Sequence, residues 1–177
     1  MTDILLISED YFKTNSSIDS NIYGKYLMSS IREAQDLCLQ TIIGTNLYNT
    51  ILSMVENSTI TDSENKAYKT LLDDFIQPYI LYATIVNLMP IISTKIANIG
   101  TVITNDEHVV SLSKNERDNL INYYQYRADF YARQMQNYLL KNYSLYKELC
   151  TNDIAKIKHN LTSSASCSIW LGGRRNK

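Results

Sequence analysis

The chain has 177 residues, 45% hydrophobic and 20% charged, which suits one globular domain able to bury roughly 70% of the surface its unfolded form exposes. Only five glycines and two prolines argue against an all-β sandwich or barrel, whose frequent turns draw on those residues, and three cysteines without a C-x-x-C pair (Cys38, Cys150, Cys167) indicate neither a disulfide framework nor a zinc site. The net charge of −1 conceals an asymmetry, because residues 1–112 carry 6 Lys/Arg against 13 Asp/Glu (−7) and residues 113–177 carry 11 against 5 (+6).

In chain order, residues 1–21 read as an extended lead-in anchored by Ile4, Leu5, Leu6 and Ile7, with a polar loop from Lys13 to Asn21. Its apolar run is too short for a secretory signal, so no export is expected, and the Asn-x-Ser/Thr triplets gain no weight. A helix from about Gly24 to Gln40 puts Leu27, Ile31, Ala34 and Cys38 on one face, and Thr41 to Gly44 should break it. Thr45 can cap a short helix whose face is Leu47, Tyr48, Ile51, Leu52 and Val55. Thr61-Asp62-Ser63-Glu64 has the spacing of a capping box, so a third helix should start near Ser63, run to Gln77, then restart from Tyr79 to about Ala97 with kinks at Pro78 and Pro90.

Gly100-TVIT-NDE-HVVSLS predicts a β-hairpin over about 101–112, with Val102, Ile103, Val109 and Val110 as its apolar residues. Ser113-Lys114-Asn115-Glu116 is a second capping box, opening a long helix to about Lys141. Ile121, Tyr124, Ala128, Tyr131, Met135 and Tyr138 form its face, and Tyr123, Tyr126 and Phe130 widen it, as expected of a helix sandwiched between neighbours. A shorter helix from Tyr143 to Cys150 should follow, with a turn or two around Ile154, Ile157 and Leu161. The expected fold is mainly α: about four to five helices in a bundle over 1–161, a short hairpin before the last long helix, and an extended C-terminal arm over 162–177.

No catalytic residue, cofactor or metal site is expected. Neither G-x-G-x-x-G nor G-x-x-x-x-G-K-[ST] occurs, and His108 and His159 lie on different elements without metal-ligand spacing. Asp73 and Asp74 are adjacent on a helix and face different ways, which suits a solvated surface better than two-metal chemistry. The helix–Gly44–helix unit has no Lys or Arg on its second helix and so lacks donors for base edges. The 20 uncharged residues from Phe75 to Thr94 are long enough to span a bilayer, but Gln77, Pro78, Thr84, Asn87, Pro90 and Ser93 fit a helix buried in protein better. The tail supplies an apolar anchor, Ile169, Trp170 and Leu171, beside Arg174 and Arg175, as a partner-docking arm would. The opposed charges of the two halves either attract within one monomer or join copies head to tail, a contact that can close into a ring.

The Leu72-Asp73-Asp74-Phe75-Ile76-Gln77-Pro78-Tyr79 block, the Gly100–His108 segment, the Tyr-rich helix from Asn122 to Tyr138 and the terminal Trp170-Leu171-Gly172-Gly173-Arg174 resemble head–tail connector proteins of tailed bacteriophages infecting Bacteroides-type hosts, including crAss-like phages. Leu6-Ile7-Ser8-Glu9 and the segment from Ile31 to Gly44 also fit, so the similarity covers nearly the whole chain. The resemblance implies a non-enzymatic virion protein, made in the host cytoplasm. Its copies would form a ring, commonly of twelve, beneath the portal protein and against neighbouring tail or connector rings. DNA would pass through the channel without sequence-specific binding, and no membrane would be involved. It also implies that the arm reaches the portal or a neighbouring ring and that the hairpin contacts adjacent subunits. A small helical adaptor inside the cell, or a membrane-spanning lysis-type protein, would share much of this composition.

Overall fold

Ser8 opens the first helix by accepting a hydrogen bond from the Tyr11 backbone through its side chain, with Glu9 and Asp10 favourably placed at the positive end of the helix dipole. This helix, α1 (Glu9–Asn15), lies within the stretch expected to be extended, and its Phe12 is buried together with Leu6 and Ile7 just before it. The computed structural model describes residues 4–18, 22–92, 94–97, 100–103, 113–149 and 151–163. Among these, five further helices follow: α2 (24–43), α3 (Thr45–Glu56), α4 (Ser63–Ile92), α5 (Lys114–Lys141) and α6 (Thr151–Ser163).

In α2 the expected face is buried as Leu27, Ile31, Ala34 and Cys38, but the helix runs past Gln40 to Ile43 and only Gly44 stops it. Residues Ala34–Leu39 form a π-helical segment within it. The buried Gln35 side chain donates to the Ile4 carbonyl and accepts from the Leu6 N–H, fastening the N-terminal segment to α2. Thr45 is the first residue of α3 and not its cap; its hydroxyl accepts from the Gln40 side chain across the elbow instead.

α4 is continuous through both prolines, where kinked segments were expected. A π-helical stretch, Leu72–Ile76, lies immediately ahead of Pro78, and the Gln77 N–H bonds the Leu72 carbonyl. That wider turn gives room to the proline ring, which in a regular helix clashes with the carbonyl four residues back. The expected capping box at Thr61–Glu64 does not form; Thr61 instead donates to the Ser58 carbonyl in a 3-10 turn. Tyr79, Ile80, Leu81, Ala83, Thr84 and Ile85 are all buried, so nearly the whole circumference of the helix is covered, as for a helix at the centre of a fold. α2 packs along one side of α4 and α5 along another.

The helix expected to reach Ala97 ends at Ile92, where the β-branched residues Ile91, Ile92, Thr94 and Ile96 lower helix propensity. The hairpin expected over 101–112 is not supported. Strand β1 (Thr94–Ala97) pairs antiparallel with β2 (Gly100–Ile103), Lys95 opposite Val102, two residues separating the strands. The second strand expected around Val109 and Val110 lies outside the described residues.

The Ser113–Glu116 capping box is present with both reciprocal hydrogen bonds, and the Ser113 hydroxyl and backbone N–H, both donating to the Glu116 carboxylate, hold it below its usual pKa. Ala128, Met135 and Leu139 of α5 are buried. After α5, a single 3-10 turn (Tyr143–Leu145) replaces the expected helix from Tyr143 to Cys150, and α6 is longer than the turn or two expected.

Candidate interaction surface

α4 and α5 are joined by two stacked aromatic pairs: Phe75 on Tyr138 with ring centroids 4.5 Å apart, and Tyr82 on Tyr131 at 5.5 Å. Both helices use a seven-residue spacing, 75 to 82 and 138 to 131, so they run antiparallel in a fixed register. Tyr11 of α1 closes over this seam; burial raises its hydroxyl pKa, followed by the nearby Asp73, Tyr131 and Tyr82. Tyr124 continues the α5 row and its hydroxyl meets Ser17 Oγ at 3.0 Å.

At the far end of the seam Tyr146 is buried, donates to the Ala67 carbonyl at 3.0 Å and lies edge-on to Tyr68 at 5.3 Å. Tyr68 in turn donates to Glu148 at 2.8 Å; burial, reinforced by that bond, pushes its pKa up to about 12. These phenols act as struts between α4 and the segment after α5. Burial is the main cause of their raised pKa values, followed by the hydrogen bond and negative charge of Glu148 at Tyr68 and by the neighbouring Tyr138 hydroxyl at Tyr146. Tyr48 of α3 is a strut of another kind, donating to Asp36 of α2, and its pKa is raised by burial and by that hydrogen bond.

The opposite side of α5 is different. Tyr123, Tyr126 and Phe130, expected to widen the packed face, are exposed, Tyr126 to 73%. Arg127 lies over the Tyr123 ring with its guanidinium carbon 3.6 Å from the centroid, and Arg133 extends the same solvent-facing row. A second exposed row runs along α2 from the residue that precedes it: Tyr23 and Tyr26, with rings 5.9 Å apart, then the charged Glu33 and the apolar Leu37, the latter 61% exposed. These two helices and the flanking turns carry nearly all the exposed large hydrophobic side chains among the described residues. Sequence spacing put these three aromatics at the edge of the packed face, whereas the structure leaves them exposed, because among the described residues neighbouring elements cover only the Tyr124–Tyr131–Tyr138 side of α5.

The elbow between α2 and α3 forms an open cleft of about 540 Å³ of mixed polar and apolar lining, made by Gln40, Thr41, Ile42, Gly44, Thr45, Asn46, Asp153 and Lys156. Gly44 has φ +86° and ψ 150°, a conformation reserved for glycine, and a Cβ there would sit 3.1 Å from the Asp153 carboxylate. The acid of α6 thus sits against the N-terminus of α3, where a helix favours negative charge. Among the described residues no group of three His, Cys, Asp or Glu could hold a metal ion.

Ile169, Trp170, Leu171, Arg174 and Arg175 lie outside the described residues, as do Val109 and Val110, while Val102 and Ile103 are described only as backbone of β2. Asp73 pairs with Lys69 within α4 and Asp74 is exposed, which matches a solvated helix face. His159 is exposed on α6.

No curated protein and no solved structure matches this chain. A family model described as a family of unknown function (DUF6712) matches residues 39–156, from the end of α2 through the α4–α5 seam and into α6. Since that match spans more than half of the sequence, the chain belongs to the DUF6712 family.

Proposed function

We propose that this chain is a structural assembly subunit, a head–tail connector of a tailed bacteriophage that forms a ring between portal and tail and surrounds the passing DNA. The observation that carries the reading is the aromatic row Tyr123, Tyr126 and Phe130 on α5, exposed among the described residues, on a helix whose other side is already committed to the chain's own core. Rows of exposed aromatics flanked by arginine have the composition of protein–protein interface cores and not of ordinary solvent surface. The opposed charges of residues 1–112 and 113–177 support contacts between copies, and the resemblance of the Leu72–Tyr79 block and the Trp170–Arg174 terminus supports the connector setting. In this reading the arm over 162–177 docks on the portal, and the strand pair with the segment through Val109 and Val110 reaches the adjacent subunit or ring.

A second reading has an observation of its own. α4 is long and apolar enough to cross a membrane, with a mean hydropathy of 1.5 over its best window, half of which is buried inside the fold. The packing of α2 and α5 against it favours a central core helix. The test is light scattering and negative-stain imaging of the detergent-free protein, alone and mixed with the portal ring. Rings on the portal are the expected result; a monomer that never joins the portal overturns the connector reading, and insolubility without detergent replaces it with the membrane one.

A further inference from the structure

We infer that the aromatic row of α5 docks on the exposed row of α2 in a second copy of this chain, making a head-to-tail contact. The inference rests on the assembly-subunit reading and identifies its interface. Closed rings need two different, mutually complementary faces on each subunit, since a face that pairs with itself stops at a dimer. The two rows are such faces. They lie on separate helices, both packed on α4, and each presents aromatic side chains to solvent.

Their charges are complementary at equal spacing. On α2, Glu33 follows Tyr26 by seven residues; on α5, Arg133 follows Tyr126 by seven. At 1.5 Å per residue both intervals are about 10 Å, so parallel helices that stack Tyr26 on Tyr126 bring Glu33 beside Arg133. Glu33 and Arg133 are exposed, and neither makes an ion pair among the described residues. Arg127, held on the Tyr123 ring, flanks the row on the α5 side, and Leu37 extends the α2 side by one further turn.

The test uses the full chain and two face variants, Tyr126→Glu with Phe130→Glu on α5 and Tyr26→Glu with Leu37→Glu on α2, compared by light scattering over a concentration series. Circular dichroism confirms that each variant is folded. The wild type should self-associate, each variant alone should be monomeric, and an equimolar mixture should form a one-to-one dimer through the single intact pair of faces. A charge-swap set supplies a milder probe: Glu33→Arg or Arg133→Glu alone should weaken association at least tenfold, and the two together in one chain should restore it. Variants that associate as well as wild type, a mixture that stays monomeric, or a wild-type chain that is monomeric at high micromolar concentration each overturn the inference. An α5 variant that fails while the α2 variant still dimerises would assign a self-paired α5 contact instead. Portal binding is read separately: assembly through these faces without capture by a portal ring keeps the interface and removes the connector reading, and rings on the portal that persist in both face variants do the reverse.

Discussion

Replacing Gly44 with alanine should cost roughly 2–4 kcal/mol, for two separable reasons. The first is backbone conformation: at φ +86° and ψ 150° an L-residue is confined to a region costing about 1–3 kcal/mol. The second is contact: the new methyl would lie 3.1 Å from both Cγ and Oδ1 of Asp153, closer than such atoms normally approach, so α6 must move or the acid must swing away from the start of α3. For a chain of this size the total corresponds to a fall in Tm of roughly 5–15 °C, measurable by circular dichroism. The double variant with Asp153→Ala relieves the contact and leaves the backbone term, so it should be less unstable than the sum of the single changes. Gly24→Ala is the control. Gly24 is the first residue of α2, and its added methyl meets only the flexible Glu9 carboxylate at 3.4 Å, so it should be neutral or stabilising by up to about 1 kcal/mol. A Gly44→Ala protein melting within a degree of wild type would refute the reasoning, since it would mean that the elbow adopts another conformation.

Four more outcomes are expected. Tyr146→Phe should lower stability by about 1 kcal/mol through loss of the hydrogen bond to Ala67, and Tyr146→Ala by about 3–5 kcal/mol through the cavity left in a fully buried site; chemical denaturation separates the two. Thr84→Val should stabilise by up to about 1 kcal/mol, because the Thr84 hydroxyl is buried without a hydrogen-bond partner, and a lower Tm would show that it has one. The unfolded Tyr68 ionises near pH 10 and the folded one near 12, so the unfolded state loses its proton first, and the stability held below pH 10 should fall as pH rises from 10 to 12. Tyr68→Phe should flatten that fall, as thermal melts across this range would register. Removing residues 164–177 should leave the melting curve unchanged and abolish portal capture if the arm is the docking element, while undiminished capture would end that role.

Much of the helical layout was legible because its signals are local and periodic. Leu27, Ile31, Ala34 and Cys38 recur at helical spacing and are buried, and Ser113 and Glu116 carry their cap in four adjacent residues. α1 was missed because seven residues hold too few turns for periodicity, leaving only Ser8 and the two acids after it as a signal. Pro78 was misread as a break because a proline is judged against a regular α-helix, whereas the π-helical turn at Leu72–Ile76 depends on tertiary packing. The strand pair was misplaced because the polar Asn105-Asp106-Glu107 run looks like a better turn than the residues between β1 and β2. The interaction surface was the least legible part. Tyrosine serves equally as strut and as contact, and the same helix has Tyr131 stacked inside and Tyr126 exposed outside, a distinction set by neighbours distant in sequence.

The seven-residue repeat of the α4–α5 stacks has a mechanical corollary. Moving α5 along α4 by one or two residues would pull Phe75 off Tyr138 and Tyr82 off Tyr131 together, and the next position at which aromatic rings meet again lies a full heptad, about 10 Å, away. The helix pair therefore behaves as a detent with widely spaced stops. A slip of less than a heptad would lose both stacks together, so the seam resists small changes of register between the two helices.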